Sequence, residues 1–271
     1  MADTATETKE DELLAETENG VLTITLNRPQ VLNSLTRGMM KALRSTLKKA
    51  GQDPEVRVII ITGSGRAFCA GADLGDLKAL YEAGTAPPLG DELRKYFNPM
   101  IRQIRAVEKP VIAVINGLAA GAGASLALAC DLKLCVASAK FISAFIQVGL
   151  IPDSGFSHML THSMGLGLAL EHAWTAKPIT ASRAEHFGMV NKVVAVEDLD
   201  RALEDIVESL LAAPPKALGM TKRLMNAAMD RDFDAQLEYE AQIQEILGRT
   251  EDHLEGVNAF LESRKPKFTG N

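Results

Sequence analysis

A turn rich in glycine and alanine, from Gly117 to Gly123, has the residue types and spacing that could do chemistry. It follows an apolar, β-rich run from Val111 to Ile115 and precedes a helix of small residues, Ala124 to Cys130. The start of a helix leaves unpaired backbone N–H groups, and the helix dipole adds positive potential there. Such a turn can hold a negative oxygen with main-chain donors alone.

The composition restricts the classes of function. A hydrophobic fraction of 46% and a charged fraction of 24% are typical of a globular protein with a sizeable core. The net charge of −6 makes nucleic acid and anionic membranes unfavourable partners. The chain has no run of about 20 apolar residues and no basic, apolar secretion signal. The three cysteines are too few for a disulfide framework, so we expect buried thiols in a cytoplasmic protein.

The elements that must position this turn follow from periodicity. Strands are predicted at Gly20–Leu26, Val56–Thr62, Val111–Ile115, Leu132–Val136 and Phe141–Ile142. Helices are predicted at Arg37–Gly51, Leu74–Val107 with a break at Gly84–Gly90, Ala124–Cys130, Phe156–Met164, Leu166–Thr175, Ala181–His186, Val196–Ala213 and most of Lys216–Ser263. The segment from Gly63 to Leu74 is predicted to be a loop. Residues 1–19 are predicted to be a disordered acidic tail, 20–213 an α/β core, and 214–271 a helical C-terminal region.

Several stretches resemble the signatures of the enoyl-CoA hydratase/isomerase (crotonase) superfamily, in the family's order and spacing. They are Gly65-Arg-Ala-Phe-Cys-Ala-Gly-Ala-Asp-Leu74, Asn116-Gly-Leu-Ala-Ala-Gly-Ala-Gly123, Ala129-Cys-Asp131, Gly149-Leu-Ile-Pro152 and Glu255-Gly-Val-Asn-Ala-Phe260. The resemblance implies a spiral of ββα repeats followed by C-terminal helices that trimerise, with trimers often pairing into hexamers. It also implies an acyl-CoA thioester as ligand. No separate cofactor is expected, because the substrate brings its own CoA.

The resemblance also implies roles for individual residues. The backbone N–H groups of Ala70 and Ala122 would form an oxyanion hole for the thioester carbonyl, which becomes negative in an enolate. The residues expected to contact CoA are Val31, Leu32, Ala72, Asp73 and Leu74, together with Lys267 and Phe268 of the C-terminal tail.

Three positions distinguish this chain from the hydratases of the superfamily. The two hydratase glutamates correspond to Ser125 and Phe145, neither of which titrates near neutral pH. Asp153 remains as a proton carrier, and an aspartate at this position is a feature of the superfamily's dienoyl-CoA and ring-1,2-epoxyphenylacetyl-CoA isomerases. Motifs such as Gly149-Leu-Ile-Pro-Asp-Ser-Gly155 resemble the second group more closely. Ser125, Phe156 and Ser157 depart from that group's usual residues.

Other interpretations of these residues, most of them structural, stay open. The glycine turn could serve only to pack a helix on a sheet, or could belong to a dinucleotide site, although Gly121-Ala-Gly123 lacks the third glycine of that fingerprint. Asp153 lies in a Pro-Asp-Ser-Gly sequence that also suits a turn or a helix cap. Ser125 could be a nucleophile or a small packing residue. His158 and His162, four residues apart, are typical of a helix surface rather than of a metal site.

The sequence therefore predicts an acyl-CoA isomerase that moves a proton or a double bond through an enolate. The base would be Asp153, in an apolar pocket that raises its pKa. An enoyl-CoA hydratase is the alternative enzyme. A non-catalytic acyl-CoA-binding protein that kept the oxyanion hole is the alternative outside catalysis.

Overall fold

The computed structural model describes residues 11–85 and 87–271, and within them ten strands form two sheets. The larger sheet has the order β1-β2-β3-β5-β7-β10, with strands Leu13–Glu18, Val21–Leu26, Val58–Gly63, Val111–Ile115, Leu132–Val136 and Lys192–Val194. The smaller sheet has the order β4-β6-β8-β9, with strands Ala67–Cys69, Leu118–Ala120, Lys140–Ile142 and Ile179–Thr180. Among the strands of the described residues, only the edge strands β1 and β9 run antiparallel to their neighbours.

The strand order shows a repeating unit. Each of β3, β5 and β7 lies in the large sheet and is followed by a short strand, β4, β6 or β8, in the small sheet. Helical segments follow each pair of strands. The β-branched run of β3 and β5 is buried on both faces, as is usual for central parallel strands. The predicted α/β spiral of ββα repeats with a helical C-terminal region is therefore confirmed.

Side chains cap four helices of the described residues. Thr36, Thr180, Asp232 and Thr250 accept N–H groups of the first turns of the helices that begin at Arg37, Ala181, Phe233 and Glu251. The helices α1 to α12 span Arg37–Gln52, Gly75–Glu82, Leu89–Glu92, Asn98–Ala106, Ala122–Ala129, Phe156–Met164, Leu166–Thr175, Ala181–His186, Leu199–Leu211, Pro215–Ala228, Phe233–Leu247 and Glu251–Leu261. A π-helical turn, Leu93–Phe97, joins α3 to α4. No helix among the described residues combines the length and the apolar character needed to cross a membrane.

The N-terminal prediction is partly wrong. Residues 13–18 were expected in a disordered tail, but they form β1, which pairs with β2 from Leu13↔Leu26 to Glu18↔Val21. Asn19 and Gly20 form the two-residue turn, with φ of 49° and 83°. An Asn-Gly pair is a standard hairpin signal, because both turn positions need positive φ. Residues 1–10 lie outside the described part of the chain.

Two short strands were also missed in segments predicted to be loop or turn. Strand β4 lies within the predicted loop 63–74, and β6 lies within the glycine turn 117–123. They pair with each other in parallel, and the start of α5 follows directly after β6. The small sheet thus brings the two candidate oxyanion segments side by side.

Buried cations join the C-terminal helices to the core. Lys222 on α10 pairs with Asp131 at 2.7 Å, and its side chain is only 8% exposed. Its Nζ also donates to the carbonyl oxygens of Ile104 and Lys109. Burial raises the pKa of Asp131 and lowers the pKa of Lys222, and each partner partly offsets the shift of the other. Removal of either charge would leave the other buried and unpaired.

Candidate active site

The N-terminus of α5 presents a free main-chain donor. Gly121 has φ of +50°, a conformation that glycine adopts readily, and its N–H donates to Ile142 O at 2.9 Å. Helical hydrogen bonding begins at Ser125, whose N–H donates to Gly121 O at 3.1 Å. Within the described residues, the Ala122 N–H has no acceptor. The Ala122 N–H is therefore a free donor at the positive end of a helix, and its role in an oxyanion hole stays a prediction.

The predicted partner donor is wrong. The Ala70 N–H donates to Leu32 O at 2.9 Å, so it is already used within the fold. Leu32 has φ of +53°, and the next residue, Asn33, has φ of +58°. The Asn33 amide is fully buried and donates to Ser64 O and Ala67 O, which holds this segment beside β4. Nothing in the local sequence showed that the carbonyl of Leu32 would face Ala70.

Ala72, two residues further along the same loop, has the available N–H. Leu35 N–H donates to Gly71 O at 2.7 Å, and Asp73 N–H donates to Leu35 O at 3.0 Å. This bridge holds the backbone on both sides of Ala72, and among the described residues the Ala72 N–H has no acceptor. A Cβ added at Gly71 would lie 3.4 Å from Ala122 N. The free amides of Ala72 and Ala122 therefore belong to adjoining segments.

Asp153 lies close to the same helix start. The Ser125 hydroxyl is fully buried and lies within hydrogen-bonding distance of two carbonyl oxygens, Gly121 O at 3.3 Å and Asp153 O at 3.1 Å. The side chain of Ser125 thus links the loop of Asp153 to the turn that precedes Ala122. The nucleophile interpretation of Ser125 has no support here, because its hydroxyl faces main-chain oxygens.

The Asp153 side chain does not cap a helix. The N-cap residue of α6 is Gly155, and that helix has no side-chain cap. Asp153 does belong to a turn, in which Ser154 and Gly155 both have positive φ, at 53° and 78°. The Ser154 hydroxyl donates to Asp153 Oδ1 at 2.8 Å. The half-buried Asp153 thus lies in a turn whose main chain is linked through Ser125 to the start of α5.

The surroundings of Asp153 make its carboxylate more basic. Burial raises the pKa of Asp153 above its usual value of 3.8, and the hydrogen bond from Ser154 partly opposes that shift. Phe156, fully buried, donates its N–H to Asp153 O at 2.9 Å, and its ring lies 5.8 Å from that of Phe145. Phe145 therefore helps to form an apolar layer under the loop instead of supplying an acid.

The residues predicted to contact CoA fall into two groups. Val31 and Leu74 are exposed and Leu32 and Asp73 are half-buried, all near the Ala72 loop. Lys267 and Phe268 lie elsewhere, against α12. The N–H of Lys267 donates to Glu255 at 2.8 Å, and the ring of Phe268 faces Gly256. Contact of either group with CoA stays a prediction.

Other candidate residues have structural surroundings. Cys69, Cys130 and Cys135 are free and buried, and burial raises the pKa of each thiol to about 12. The rings of His158 and His162 stack 4.2 Å apart on α6. Within the described part of the chain, no group of three or more potential ligands could hold a metal ion.

Comparison with known proteins identifies the family. The sequence model described as "Enoyl-CoA hydratase/isomerase" matches residues 16–271. The chain belongs to the enoyl-CoA hydratase/isomerase family. Members of this family act on acyl-CoA substrates.

The relatives of this protein include both an isomerase and hydratases, as their names state. It is 40% identical to a 1,2-epoxyphenylacetyl-CoA isomerase of Escherichia coli, over 95% of this chain and 98% of the relative. It is 39% identical to a probable enoyl-CoA hydratase of Rhodobacter capsulatus, over 94% and 96%. The crystal structure of an enoyl-CoA hydratase from Polaromonas sp. JS666 superposes with a TM-score of 0.89 at 35% identity, covering 94% of this chain and 99% of that one.

Proposed function

We propose that this protein is an acyl-CoA isomerase that shifts a proton, and with it a double bond or ring, through an enolate. The observation that supports this most is the half-buried position of Asp153, whose main-chain carbonyl oxygen is linked through the Ser125 hydroxyl to the turn before a helix start with a free N–H. The raised pKa of Asp153 makes it a stronger base than an exposed aspartate.

In this proposal the main-chain amides of Ala72 and Ala122 hold the thioester oxygen. Asp153 removes a proton from the α-carbon, and the electrons of that C–H bond move to the carbonyl oxygen through the enolate. With a 3-enoyl-CoA, Asp153 then returns the proton to the γ-carbon, and the double bond becomes a 2-enoyl bond. No water is consumed, so one carboxylate is enough. Two preorganised donors would stabilise the enolate by about 3–4 kcal/mol each.

The acyl substrate is proposed to resemble 1,2-epoxyphenylacetyl-CoA or a 3-enoyl-CoA, and the first choice is supported by the name of the Escherichia coli relative. Phenylacetate catabolism is the corresponding pathway. The cytoplasm is the proposed compartment, in keeping with three free, buried cysteines. No cofactor is proposed beyond the CoA of the substrate.

Enoyl-CoA hydratase activity is the second candidate, favoured by the names of several relatives. Hydration needs an acid–base pair for water and for the α-carbon. At the two glutamate positions inferred from the resemblance, this chain has Ser125, bonded to carbonyl oxygens, and buried Phe145. Hydration here would have to use Asp153 alone, so we expect it to be slow.

The test is a proton-exchange assay in deuterium oxide with a 3-enoyl-CoA and with a 2-enoyl-CoA. An isomerase introduces deuterium at the α- or γ-carbon and interconverts the two isomers, and Asp153→Asn should reduce this at least about 100-fold. The matched control is Asp230→Asn, an exposed aspartate after α10. Activity of Asp153→Asn within a few-fold of wild type would reject the proposal. Conversion of the 2-enoyl-CoA to a 3-hydroxyacyl-CoA as the fastest reaction would favour the hydratase, and tight CoA binding without exchange would favour a non-catalytic protein.

We further propose that the chain forms a homotrimer, or a hexamer of paired trimers. Large apolar side chains of the C-terminal helices are exposed, with Phe233 at 76%, Phe260 at 84% and Leu261 at 74%. Light scattering of wild type and Phe260→Asp tests this, because a charge in a buried contact should dissociate the assembly. A wild-type protein that stays monomeric at micromolar concentration would exclude it.

A further inference from the structure

Arg28 connects three segments next to the candidate oxyanion hole. Its Nη1 donates to Asp73 Oδ2 at 2.6 Å and to Ser34 O at 2.8 Å, and the Ser34 hydroxyl lies at 3.2 Å. Its Nε lies 3.4 Å from a carboxylate oxygen of Glu12, just before β1. The side chain is only 16% exposed, so this guanidinium is directed into the fold instead of into solvent.

The contact with Asp73 fixes the loop that contains Ala72. The second carboxylate oxygen of Asp73 accepts the N–H of Gly75 at 2.9 Å, so the side chain is held from two directions. Leu35 holds the main chain on both sides of Ala72, and Leu35 directly follows Ser34, whose carbonyl Arg28 binds. Arg28 therefore contacts both segments of the Leu35–Ala72 bridge, through Ser34 on one side and Asp73 on the other, and this bridge orients the Ala72 amide.

The charge of Arg28 has a second consequence. Asp73 is the residue next to Ala72, and its carboxylate is only 25% exposed. The Gly75 N–H and then Arg28 hold the pKa of Asp73 below its usual value, so Asp73 is ionised at neutral pH. An uncompensated carboxylate there would oppose the build-up of negative charge on a thioester oxygen. Arg28 neutralises it at hydrogen-bonding distance.

We propose that Arg28 is a positioning residue for the oxyanion hole, because it orients the Ala72 amide through Asp73 and Ser34 and compensates the charge of Asp73. This inference rests on the proposed function, since it assigns Arg28 a part in stabilising the enolate. A merely structural arginine would affect folding alone. An arginine that bound a CoA phosphate would affect affinity alone.

The test compares Arg28→Met, Arg28→Lys and the double variant Arg28→Met/Asp73→Asn with wild type. The control is Arg223→Met, since Arg223 pairs with Glu108 at 3.0 Å and neither residue belongs to the segments that Arg28 contacts. Three quantities are measured in each variant: the kcat and KM of deuterium exchange, the melting temperature, and amide hydrogen exchange of the peptide covering residues 70–75.

Arg28→Met should lower kcat at least about tenfold with KM within about threefold, because a displaced donor acts mainly in the transition state. The kcat of Arg28→Lys should lie between that of wild type and that of Arg28→Met. The double variant should regain at least about threefold of the lost kcat, because the uncompensated carboxylate is gone. Amide exchange in residues 70–75 should accelerate in Arg28→Met and remain unchanged in Arg223→Met.

Any of three results would overturn the proposal. The kcat of Arg28→Met could lie within twofold of wild type, its KM could rise at constant kcat, or the double variant could fail to recover the kcat that Arg28→Met loses. Unchanged amide exchange in residues 70–75 also overturns it. If wild type itself exchanges no deuterium, the proposed function fails, and the amide exchange of residues 70–75 then decides by itself whether Arg28 orients the loop.

Discussion

A methyl group added at Gly123 should open the oxyanion hole. Gly123 is the second residue of α5, and a Cβ there would lie 2.2 Å from Cys69 O and 2.7 Å from Cys69 Cβ. Cys69 is the last residue of β4 and leads directly into the loop of Ala72. Because ordinary contact needs roughly 3.2 Å or more, α5 and β4 must separate by about 1 Å in Gly123→Ala.

The separation of α5 from β4 determines how much kcat Gly123→Ala should lose. Both donors must reach one oxygen at about 2.7–3.1 Å, so a separation of about 1 Å removes one of the two hydrogen bonds. The expected loss is about 100-fold in kcat, which corresponds to about 2.7 kcal/mol of transition-state stabilisation. Overpacking should also destabilise the fold by about 1–3 kcal/mol, offset by up to about 1 kcal/mol from the better helix propensity of alanine.

Gly167→Ala is the matched control. Gly167 is exposed near the start of α7, and a Cβ there would have no described atom within 4 Å. The same change of residue type in a helix should therefore leave kcat near that of wild type and the melting temperature equal to or slightly above it. Deuterium exchange gives kcat, and thermal unfolding followed by circular dichroism gives stability. If Gly123→Ala matches Gly167→Ala in both, the packing argument for the hole is wrong.

Four further predictions concern Asp153, Ser125 and Lys222. The rate of proton exchange should fall as the pH drops through the raised pKa of Asp153. The acid limb of the kcat/KM profile should therefore lie above pH 3.8, and an acid limb at or below that value would contradict the burial argument. Because the pKa of Asp153 is higher in the folded than in the unfolded protein, ionisation of its carboxylate lowers the free energy of unfolding at pH values above the folded pKa. This loss disappears as the pH falls. At pH 7, Asp153→Asn should therefore melt no lower than wild type. Ser125→Ala should reduce kcat several-fold by loosening Asp153, whereas Ser157→Ala on the exposed face of α6 should not, and equal rates in both variants would remove the role of Ser125. Lys222→Met should lower the free energy of unfolding by about 3–5 kcal/mol in urea titrations by leaving Asp131 unpaired, and a change below about 1 kcal/mol would contradict that assignment.

Local signals were enough for much of the fold. Helices α6 and α7 match their predicted bounds because Gly155 and Gly165, both with positive φ, limit α6 on either side and separate it from α7. Strand β7 matches because its mostly apolar run begins directly after Asp131 and ends shortly before Ser138. Strands β4 and β6 were missed because each has only three residues and is stabilised by partners about 50 positions away.

The candidate site was predictable only in part. A free N–H at the start of α5 follows from helix geometry, whereas the choice of Ala122 as a donor came from the family resemblance and stays a prediction. The choice between Ala70 and Ala72 depends on which amide meets a carbonyl from residues 32–35, and that is a long-range contact. The link between Ser125 and Asp153 likewise joins residues 28 positions apart.

A crystal structure with a non-reactive acyl-CoA analogue would show directly which groups hold the thioester. We expect the thioester oxygen at about 2.7–3.1 Å from the N–H nitrogens of both Ala72 and Ala122, with the Asp153 carboxylate facing the α- and γ-carbons. A thioester oxygen bound by other groups, or an Asp153 carboxylate turned towards bulk water in that complex, would contradict it.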